Sequence, residues 1–507
     1  GGGGGGTGGA AGTGGSAATG DTTHCVGGRE YNPALDFYAP PCTPGTIGAA
    51  MSNNGGATYA GVTGNQITLV DYVSNYGQEV NTILQAEGLY ESYSDAVALD
   101  KAWTSFINSH YVLWGRKVNI VPYQAKCQSV PPDYNCLLGE MDSVVSTYHP
   151  LGVMWDTTLC SACYARLAQD HVVAWGGNGF SDPFINANQP YVWGSGYSMS
   201  SSQMETDFAR FWCNQLSSAS GPRKVSFAPS QNPTQNFNGQ KRVLGVISTN
   251  DPDNENTVTH VLEPALARDC GDKVSHTYFY AQDINTAAQQ VEAGISAMDT
   301  QTNPATDVLC LCDPVAPAFL YEGEASHNYW PENVLADVQS MTTDQTSQSY
   351  MSGLGCPNKP CEYADAFGLS AFWPYPNQNQ MPGVKVFAAG SGGASLPVTP
   401  LTANNFWEDW NMMASVIENA GPSLNPSRMQ AAAPSMGARG GGPYATVGFT
   451  PGSWNWVKDA EVEYWSPNRT SPYDGQPGTM VQVEGARYGS DNFPVLSEPP
   501  IPPQASR

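Results

Sequence analysis

The chain has 507 residues, of which 13% are charged and 40% hydrophobic, a balance typical of folded proteins rather than disordered ones. Acidic residues outnumber basic ones by 45 to 21, which gives a formal charge of -24. A surface of that sign repels nucleic acid and anionic lipid, so we expect neither as a partner. At this length, two lobes are more natural than a single compact core.

The first 62 residues are Gly-rich and irregular, and they predict a flexible tether followed by an N-terminal arm. No apolar run in the sequence reaches the roughly 18 residues that a membrane-spanning helix needs. Because no basic segment followed by an apolar one occurs at the start, we expect that a signal peptide has been removed. The tether is typical of the segment behind a lipid-anchored cysteine.

Twelve cysteines are present, and several lie close together along the chain. Their spacing across Gly/Pro/Asn-rich loops favours local disulfides in an oxidising compartment outside the cytoplasm, although the sequence leaves the connectivity open. The alternative is twelve reduced thiols in a cytoplasmic protein. The candidates for disulfide formation are Cys25, Cys42, Cys127, Cys136, Cys160, Cys163, Cys356 and Cys361.

Strand and helix patterns alternate from residue 63 onward, which favours parallel sheets whose two faces are covered by helices. The apolar runs predict strands over 66–73, 117–122, 151–155, 171–175, 242–248, 274–280 and 307–312. Apolar residues at helical spacing predict helices over 99–110, 139–148, 161–170, 203–215, 257–268, 285–299 and 404–419. Asn425 and Pro426 predict the start of another helix. Two antiparallel strands over 460–465 and 479–483 and a Pro-rich tail complete the pattern.

Seven segments in this order resemble the type I periplasmic binding proteins, in particular the long actinobacterial lipoproteins of the branched-chain amino-acid receptor branch. The segments are GVTGNQITLVDYV (61–73), HYVLWGRKVNIV (110–121), LGVMWDTTLC (151–160), QPYVWGS (189–195), KRVLGVIS (241–248), TDVLCLCDP (306–314) and WNWVKDAEVEYWSP (454–467). The resemblance covers residues 61–485.

This resemblance implies an α/β fold with two Rossmann-like lobes that are joined by three crossovers and contain parallel central sheets. Lobe 1 would comprise 63–197 with a return segment at 372–440. Lobe 2 would comprise 198–371 with C-terminal strands at 441–488. The segment 1–62 would form the tether and arm, and 489–507 the tail.

The implied function is extracytoplasmic solute binding for an ABC importer, with a small molecule between the lobes and the transporter permease as partner. In the family, the loop after the third strand holds a ligand carboxylate, and the matching positions here are Asp156, Thr157, Thr158, Asn178 and Gly179. The serine-rich loop of the family is replaced by Trp155-Asp156-Thr157-Thr158. An aspartate there repels a carboxylate, which argues against a simple aliphatic amino acid.

The residues themselves indicate a cleft at the carboxyl ends of the strands. Trp155, Trp175 and Trp193 end consecutive strand-like segments, so their rings either line this cleft or pack in the core. Rings there would favour a flat, apolar or cationic ligand. The predicted ligand-binding residues are Tyr72, Ser74, Trp155, Asp156, Thr157, Thr158, Trp175, Asn178, Gly179, Ser248, Asn250 and Asp313.

We therefore predict a surface-located, lipid-anchored binding protein for an amino-acid-like or aromatic/cationic molecule, without catalytic residues, metal or cofactor. A homo-oligomer is left open. One alternative is a self-assembling surface-layer or filament subunit built on the same fold. A lesser alternative is a thiol–disulfide oxidoreductase, because Cys160 and Cys163 lie at a predicted helix start, where a thiolate is stabilised.

Overall fold

A computed structural model describes residues 21–47, 53–155, 160–217, 224–229, 237–337, 342–355, 361–489 and 492–494. The predicted tether at residues 1–20 and nearly all of the predicted tail lie outside these ranges. The strands, in chain order, are β1 (Gln66–Asn75), β2 (Lys117–Gln128), β3 (Gly152–Met154), β4 (Val173–Trp175), β5 (Leu244–Thr249), β6 (His276–Tyr280), β7 (Asp307–Leu311), β8 (Glu332–Asp337), β9 (Phe367–Ser370), β10 (Arg439–Gly441), β11 (Tyr444–Val447), β12 (Ala460–Thr470) and β13 (Pro477–Tyr488).

The helices cover the faces of the sheets and supply most of the connections between strands. In chain order they are α1 (Gln78–Glu87), α2 (Tyr93–His110), α3 (Tyr134–Tyr148), α4 (Ser161–Gln169), α5 (Asp182–Ala187), α6 (Ser201–Phe211), α7 (Pro252–Thr257), α8 (Glu263–Cys270), α9 (Ala287–Met298), α10 (Ala316–His327), α11 (Asp344–Gly353), α12 (Pro382–Ser391), α13 (Pro400–Ala420) and α14 (Pro426–Ala432).

The first sheet is parallel, with the strand order β2-β1-β3-β4. Strands β1, β3 and β4 are mostly buried apolar runs, and β3 and β4 are buried at every position. The edge strand β2 instead has many positions where buried and exposed residues alternate. Helix α2 begins with a capping box, in which Ser92 accepts from the Asp95 backbone and Asp95 accepts from that of Ser92. These features define the first lobe.

The second sheet has seven strands in the order β13-β12-β9-β8-β7-β5-β6. Strands β5 to β9 are parallel, whereas β12 and β13 extend the sheet as antiparallel edge strands. The chain passes between the two sheets after β4, after β9 and before β12. Two mainly parallel lobes joined by three crossovers confirm the predicted fold class.

The return segment packs against the first lobe after the second crossover. Helices α12 and α13 pack on each other and on α2, and Gly390 brings α12 so close that an added Cβ would lie 2.2 Å from the carbonyl oxygen of Ala102. Helix α13 is buried along almost its whole length. Asn425 caps α14 through its side chain, as the sequence predicts.

Several elements were not predicted because their sequences lack a clear period. The missed strands and helices are α1, α5, α10, α11, α12, β8, β9, β10 and β11. Helix α10 has its apolar residues in its first half and mostly polar residues in its second, so it shows no helical stripe. The predicted helix over 257–268 is instead α7 and α8, joined by a π-helical turn at Val258–Leu262.

The N-terminal arm is packed into the first lobe from residue 30 onward. Tyr31, Asp36 and Tyr38 are buried, and Asp36 accepts hydrogen bonds from Trp407 Nε1 (2.8 Å) and Asn411 Nδ2 (2.7 Å) of α13. These buried bonds make the described arm an integral part of the lobe.

Cysteine pairing follows the predicted local pattern for three pairs: Cys25–Cys42, Cys127–Cys136 and Cys160–Cys163. The structure adds two pairs that the sequence analysis did not single out, Cys213–Cys270 and Cys310–Cys312. Cys356 lies outside the described residues. None of the described helices is long and apolar enough to cross a membrane.

Candidate functional site

A cleft lies between the lobes, where the carboxyl ends of the parallel strands of both sheets face each other. Its cavity volume is about 180 Å³. Lobe 1 contributes the end of β1, helix α1 and the loop after it, while lobe 2 contributes the ends of β6 and β7 with helices α9 and α10. Helix α13 of the return segment supplies a third wall.

Most of the lining is apolar or aromatic, as small-molecule sites usually are. Five tyrosines, Tyr72, Tyr76, Tyr90, Tyr278 and Tyr280, surround the cavity. Aliphatic and phenyl side chains fill the remaining walls: Val73, Val80, Leu84, Leu89, Met154, Ile247, Ile284, Val291, Phe319, Leu320 and Phe406.

The lobe 1 wall is held by hydrogen bonds and ring contacts at the end of β1. Tyr72 donates to Glu140 Oε2 (2.6 Å), and its ring stacks on Tyr123 with the centroids 5.5 Å apart. Trp155 lies 4.6 Å from the Tyr72 ring and donates from Nε1 to Ser74 Oγ (2.6 Å). Trp155 therefore positions two lining residues without lining the cavity itself.

The lobe 2 wall is organised by Asp313, which accepts from four donors. Its Oδ2 accepts from Tyr280 Oη (2.7 Å) and Gln282 Nε2 (3.3 Å), and its Oδ1 from the backbone nitrogens of Val315 (2.8 Å) and Ala316 (3.0 Å). Burial and the Asp313 charge raise the pKa of Tyr280 well above its usual value, so this phenol remains a donor. Asp313 thus holds the turn just before α10 and orients the aromatic wall.

Helix α13 brings an unsatisfied donor to the cleft. Thr402 donates to the carbonyl oxygen of Gly88 (2.7 Å), which ties α13 to the end of α1. One turn later, Asn405 lines the cavity at 2% exposure, and its Nδ2 has no hydrogen-bond partner among the described residues. A buried amide donor without a partner is costly, so it is available to an acceptor on a ligand.

The charged side chains among the described lining residues are all acidic. Asp71, Glu91, Asp283 and Asp313 line the cavity, whereas the described lining residues include no Lys, Arg or His. A ligand carboxylate would find no side-chain cation on the described walls of the cleft.

Beside the cleft, the lobes also meet through a hydrogen-bonded contact that we call the seam: Ser161, Ser181, Asp251 and Asp253. Ser161 of lobe 1 donates from Oγ to Asp251 Oδ2 (3.0 Å) of lobe 2. Ser181 donates from its backbone nitrogen to Asp253 Oδ2 (2.7 Å) and from Oγ to Asp253 Oδ1. Burial raises the pKa of both carboxyls, against the opposing effect of these hydrogen bonds.

Four of the predicted ligand-binding residues line the cleft: Tyr72, Ser74, Asn178 and Asp313. Trp155 lies directly behind them, at 1% exposure. Trp175 lies in the core, fully buried, with its ring 5.3 Å from that of Trp410. Trp193 is also in the core, against Phe449 and Trp454.

Gly179, Ser248 and Asn250 are not among the described residues that line the cavity. Gly179 has a left-handed backbone (φ 73°) that glycine favours. Ser248 is buried in β5, and Asn250 is exposed, with its backbone nitrogen donating to the backbone carbonyl oxygen of Tyr280 (2.8 Å). Asp156, Thr157 and Thr158 lie outside the described residues, so their contribution stays a prediction.

The sequence analysis missed much of the lobe 2 and α13 walls. Tyr280 was visible as the end of a predicted strand, and its position at a strand's carboxyl end could have identified it. Phe319 and Leu320 belong to the unpredicted α10. Asn405 gave no signal, because only tertiary packing brings the return segment to the cleft.

No protein-family model matches the chain, and no curated protein matches it by sequence. In fold, it is similar to an ABC transporter solute-binding protein from R. palustris in complex with 4-hydroxybenzoate, at 12% identity and a TM-score of 0.53, over 84% of this chain and 97% of that one. It is also similar to a fatty acid ABC transporter substrate-binding protein from Thermomonospora curvata and to an ABC transporter substrate-binding protein from Aeropyrum pernix. Each is 12% identical with a TM-score of 0.54, over 86% of this chain and 97% of the other. These similarities confirm the type I periplasmic-binding-protein fold.

Proposed function

We propose that the chain is an extracytoplasmic solute-binding protein that delivers a small molecule to the permease of an ABC importer. Its lobes would close on the ligand by a hinge motion, and the closed form would be recognised by the transporter. We further propose that it acts without catalysis and is held at the cell surface by a lipid anchor.

The observation that supports this proposal best is the cleft itself. It lies at the carboxyl ends of the strands of both sheets, and its walls come from both lobes and the return segment. Closure around a ligand would therefore bring apolar surface from both lobes out of water, which favours the closed form. Solute-binding proteins of ABC importers recur among its structural neighbours.

The ligand in this proposal is an amino-acid-like or an aromatic or cationic molecule. Tyrosine rings and aliphatic side chains suit an apolar body, and tyrosine faces attract cations. The R. palustris neighbour is described with 4-hydroxybenzoate and the T. curvata neighbour as a fatty acid binder, so ligands with apolar bodies occur on this fold.

Neither alternative function gains a supporting observation. Cys160 and Cys163 form a disulfide and are completely buried, whereas a thiol–disulfide enzyme needs a sulfur that its substrate can reach. Nothing in the described residues favours a surface-layer or filament subunit.

The test is a thermal-shift screen against amino acids, aromatic acids, amines and amides, with a variant that fills the cleft. A Cβ on Gly294 would point between Tyr278 and Ile247, 3.3 and 3.8 Å away, so Gly294→Phe places a ring in the cavity. We expect a concentration-dependent rise in melting temperature for the wild type that Gly294→Phe abolishes.

The matched control is Gly139→Phe, in the exposed face of α3, where an added Cβ meets nothing within 4 Å. This variant should keep the ligand response. A flat response across all compound classes in the wild type, or a response that Gly294→Phe retains in full, would refute binding in the cleft.

A further inference from the structure

Asn405 places an unsatisfied amide donor in the wall of the cleft. The residue lies in the second turn of α13, lines the cavity and is 2% exposed. Its Oδ1 accepts from Tyr375 Oη (3.5 Å), whereas its Nδ2 has no hydrogen-bond partner among the described residues. The amide oxygen is thus engaged within the protein, and the nitrogen is the end that is left for a ligand.

The other asparagines of α13 do not share this feature. All three donate from Nδ2 to acceptors within the protein: Asn404 to Glu408 Oε1 (2.7 Å), Asn411 to Asp36 Oδ2 (2.7 Å) and Asn419 to the carbonyl oxygen of Ala432 (2.6 Å). Buried amide groups are ordinarily satisfied in this way. The helix therefore satisfies the asparagines that pack against protein, and the one that lacks an acceptor for its nitrogen is the one that lines the cavity.

The start of α13 is held in place before any ligand binds. The hydroxyls of Thr399 and Thr402 both donate to the carbonyl oxygen of Gly88, at 2.5 and 2.7 Å, which fixes the first turn of α13 to the end of α1. Asn405 follows one turn later on this fixed helix. A donor in a fixed position binds an acceptor at a smaller entropic cost than a mobile one.

The chemistry of the lining decides which acceptor suits this donor. Because the described lining residues include acids but no Lys, Arg or His, a carboxylate would be buried without a counter-ion. An ammonium group has only donors, so it cannot satisfy Nδ2. A carbonyl oxygen accepts a hydrogen bond without bringing a charge, and the tyrosine and aliphatic walls suit an apolar body around it.

We propose that the cleft selects an uncharged apolar molecule with a carbonyl group, such as a ketone, ester or amide, whose oxygen accepts from Asn405 Nδ2. This inference rests on the proposed solute-binding function and names its ligand class. An analogue of the same shape without the oxygen would leave the buried donor unsatisfied, so the site rejects it.

The test uses two series of compounds in which only the polar group changes. The first is acetophenone, α-methylstyrene, 1-phenylethylamine and benzoate, and the second is 2-hexanone, 2-methyl-1-hexene, 2-aminohexane and pentanoate. Each series therefore compares a ketone with an alkene of the same shape, an amine and a carboxylate. Thermal shifts and calorimetric dissociation constants are measured for the wild type and three variants.

The variants separate the donor from the fold. Asn405→Leu removes the amide at similar volume, and Asn405→Asp keeps the shape while replacing the donor by an acceptor. The matched control is Asn419→Leu, the same substitution on the same helix at a residue that is not among the described lining residues. A cooperative melting transition shows that each variant is folded.

We expect each ketone to bind the wild type about tenfold or more tightly than the alkene, amine and carboxylate of its series. Asn405→Leu should weaken ketone binding by about tenfold and leave alkene binding within about twofold, so that the preference disappears. Asn405→Asp should also lose the ketone preference, and it should bind the amine more tightly than the wild type does. Asn419→Leu should retain the wild-type preference.

The carbonyl proposal is overturned if an alkene, amine or carboxylate binds the wild type as tightly as its matched ketone, if Asn405→Leu keeps the ketone preference, or if neither ketone binds. The solute-binding function is judged separately with the cleft-filled variant. A compound without a carbonyl group whose thermal shift disappears in Gly294→Phe upholds that function while excluding this ligand class.

Discussion

The lobes meet in two regions of opposite chemistry, the cleft and the seam. In the cleft, the facing walls are mostly apolar, and the Nδ2 donor of Asn405 lacks a partner in the described structure. In the seam, Asp251 and Asp253 accept from Ser161 and Ser181 across the junction, and all four residues are buried. The seam is satisfied by the protein alone, whereas the cleft is not.

This difference suggests that the seam and the cleft have different roles. Hydrogen bonds between fixed partners define how the lobes dock, because an aspartate that moves away from its serine leaves a buried donor unpaired. An apolar surface with unpartnered polar groups contributes little until another molecule completes it. The following predictions test whether the seam holds the lobes while the cleft selects the ligand.

The largest expected effect is that of Asp253→Ala in the seam. It leaves the Ser181 amide and hydroxyl without acceptors, at about 1–3 kcal/mol for each buried group. Small-angle scattering should show a larger radius of gyration, and the melting temperature should fall. Asn256→Ala, at an exposed position of the same helix α7, should change neither. Equal behaviour of the two variants would mean that the seam does not hold the lobes together.

A smaller effect should separate two buried tryptophans. Trp155→Phe removes the hydrogen bond to Ser74 and should weaken binding of the ligand found in the screen by about 2- to 10-fold. Trp175→Phe should leave affinity within about twofold, because Trp175 Nε1 has no hydrogen-bond partner among the described residues and the ring packs on Trp410. Titration calorimetry and melting temperatures measure both. Equal losses of affinity in the two variants would contradict the placement of Trp155 against the cleft wall and of Trp175 in the core.

The smallest effect concerns pH. Glu205 of α6 is buried near Asp253, and burial raises its pKa from 4.5 to about 8, assisted by the Asp253 charge and opposed by Thr257 and Leu262. The folded protein thus retains a proton that the unfolded chain has lost between these values, so stability falls as pH rises from about 4.5 to 8. Glu205→Gln should reduce the decline in melting temperature between pH 5 and 8. An unchanged slope would show that Glu205 does not titrate in this range.

The sequence analysis predicted the order of β1 to β7 because buried parallel strands are short apolar runs that need no knowledge of the fold. Helix α10 escaped detection because its apolar residues fill its first half instead of forming a stripe along one face. For the site, residues at strand ends such as Tyr72 and Asp313 could be inferred from the rule that ligands bind at the carboxyl ends of strands. Asn405 could not, because its place in the lining and its missing hydrogen-bond partner are visible only in three dimensions.

The packing of the N-terminal arm has a consequence for the biogenesis of the protein. Asp36 accepts from Trp407 and Asn411. The Tyr38 hydroxyl donates to the carbonyl oxygen of Ala445 (2.8 Å), and the Tyr38 backbone carbonyl accepts from Arg439. The arm is therefore synthesised about 370 to 410 residues before the residues that it packs against. Until then, its tyrosines and aspartate remain exposed, so the arm is where a chaperone would protect the growing chain.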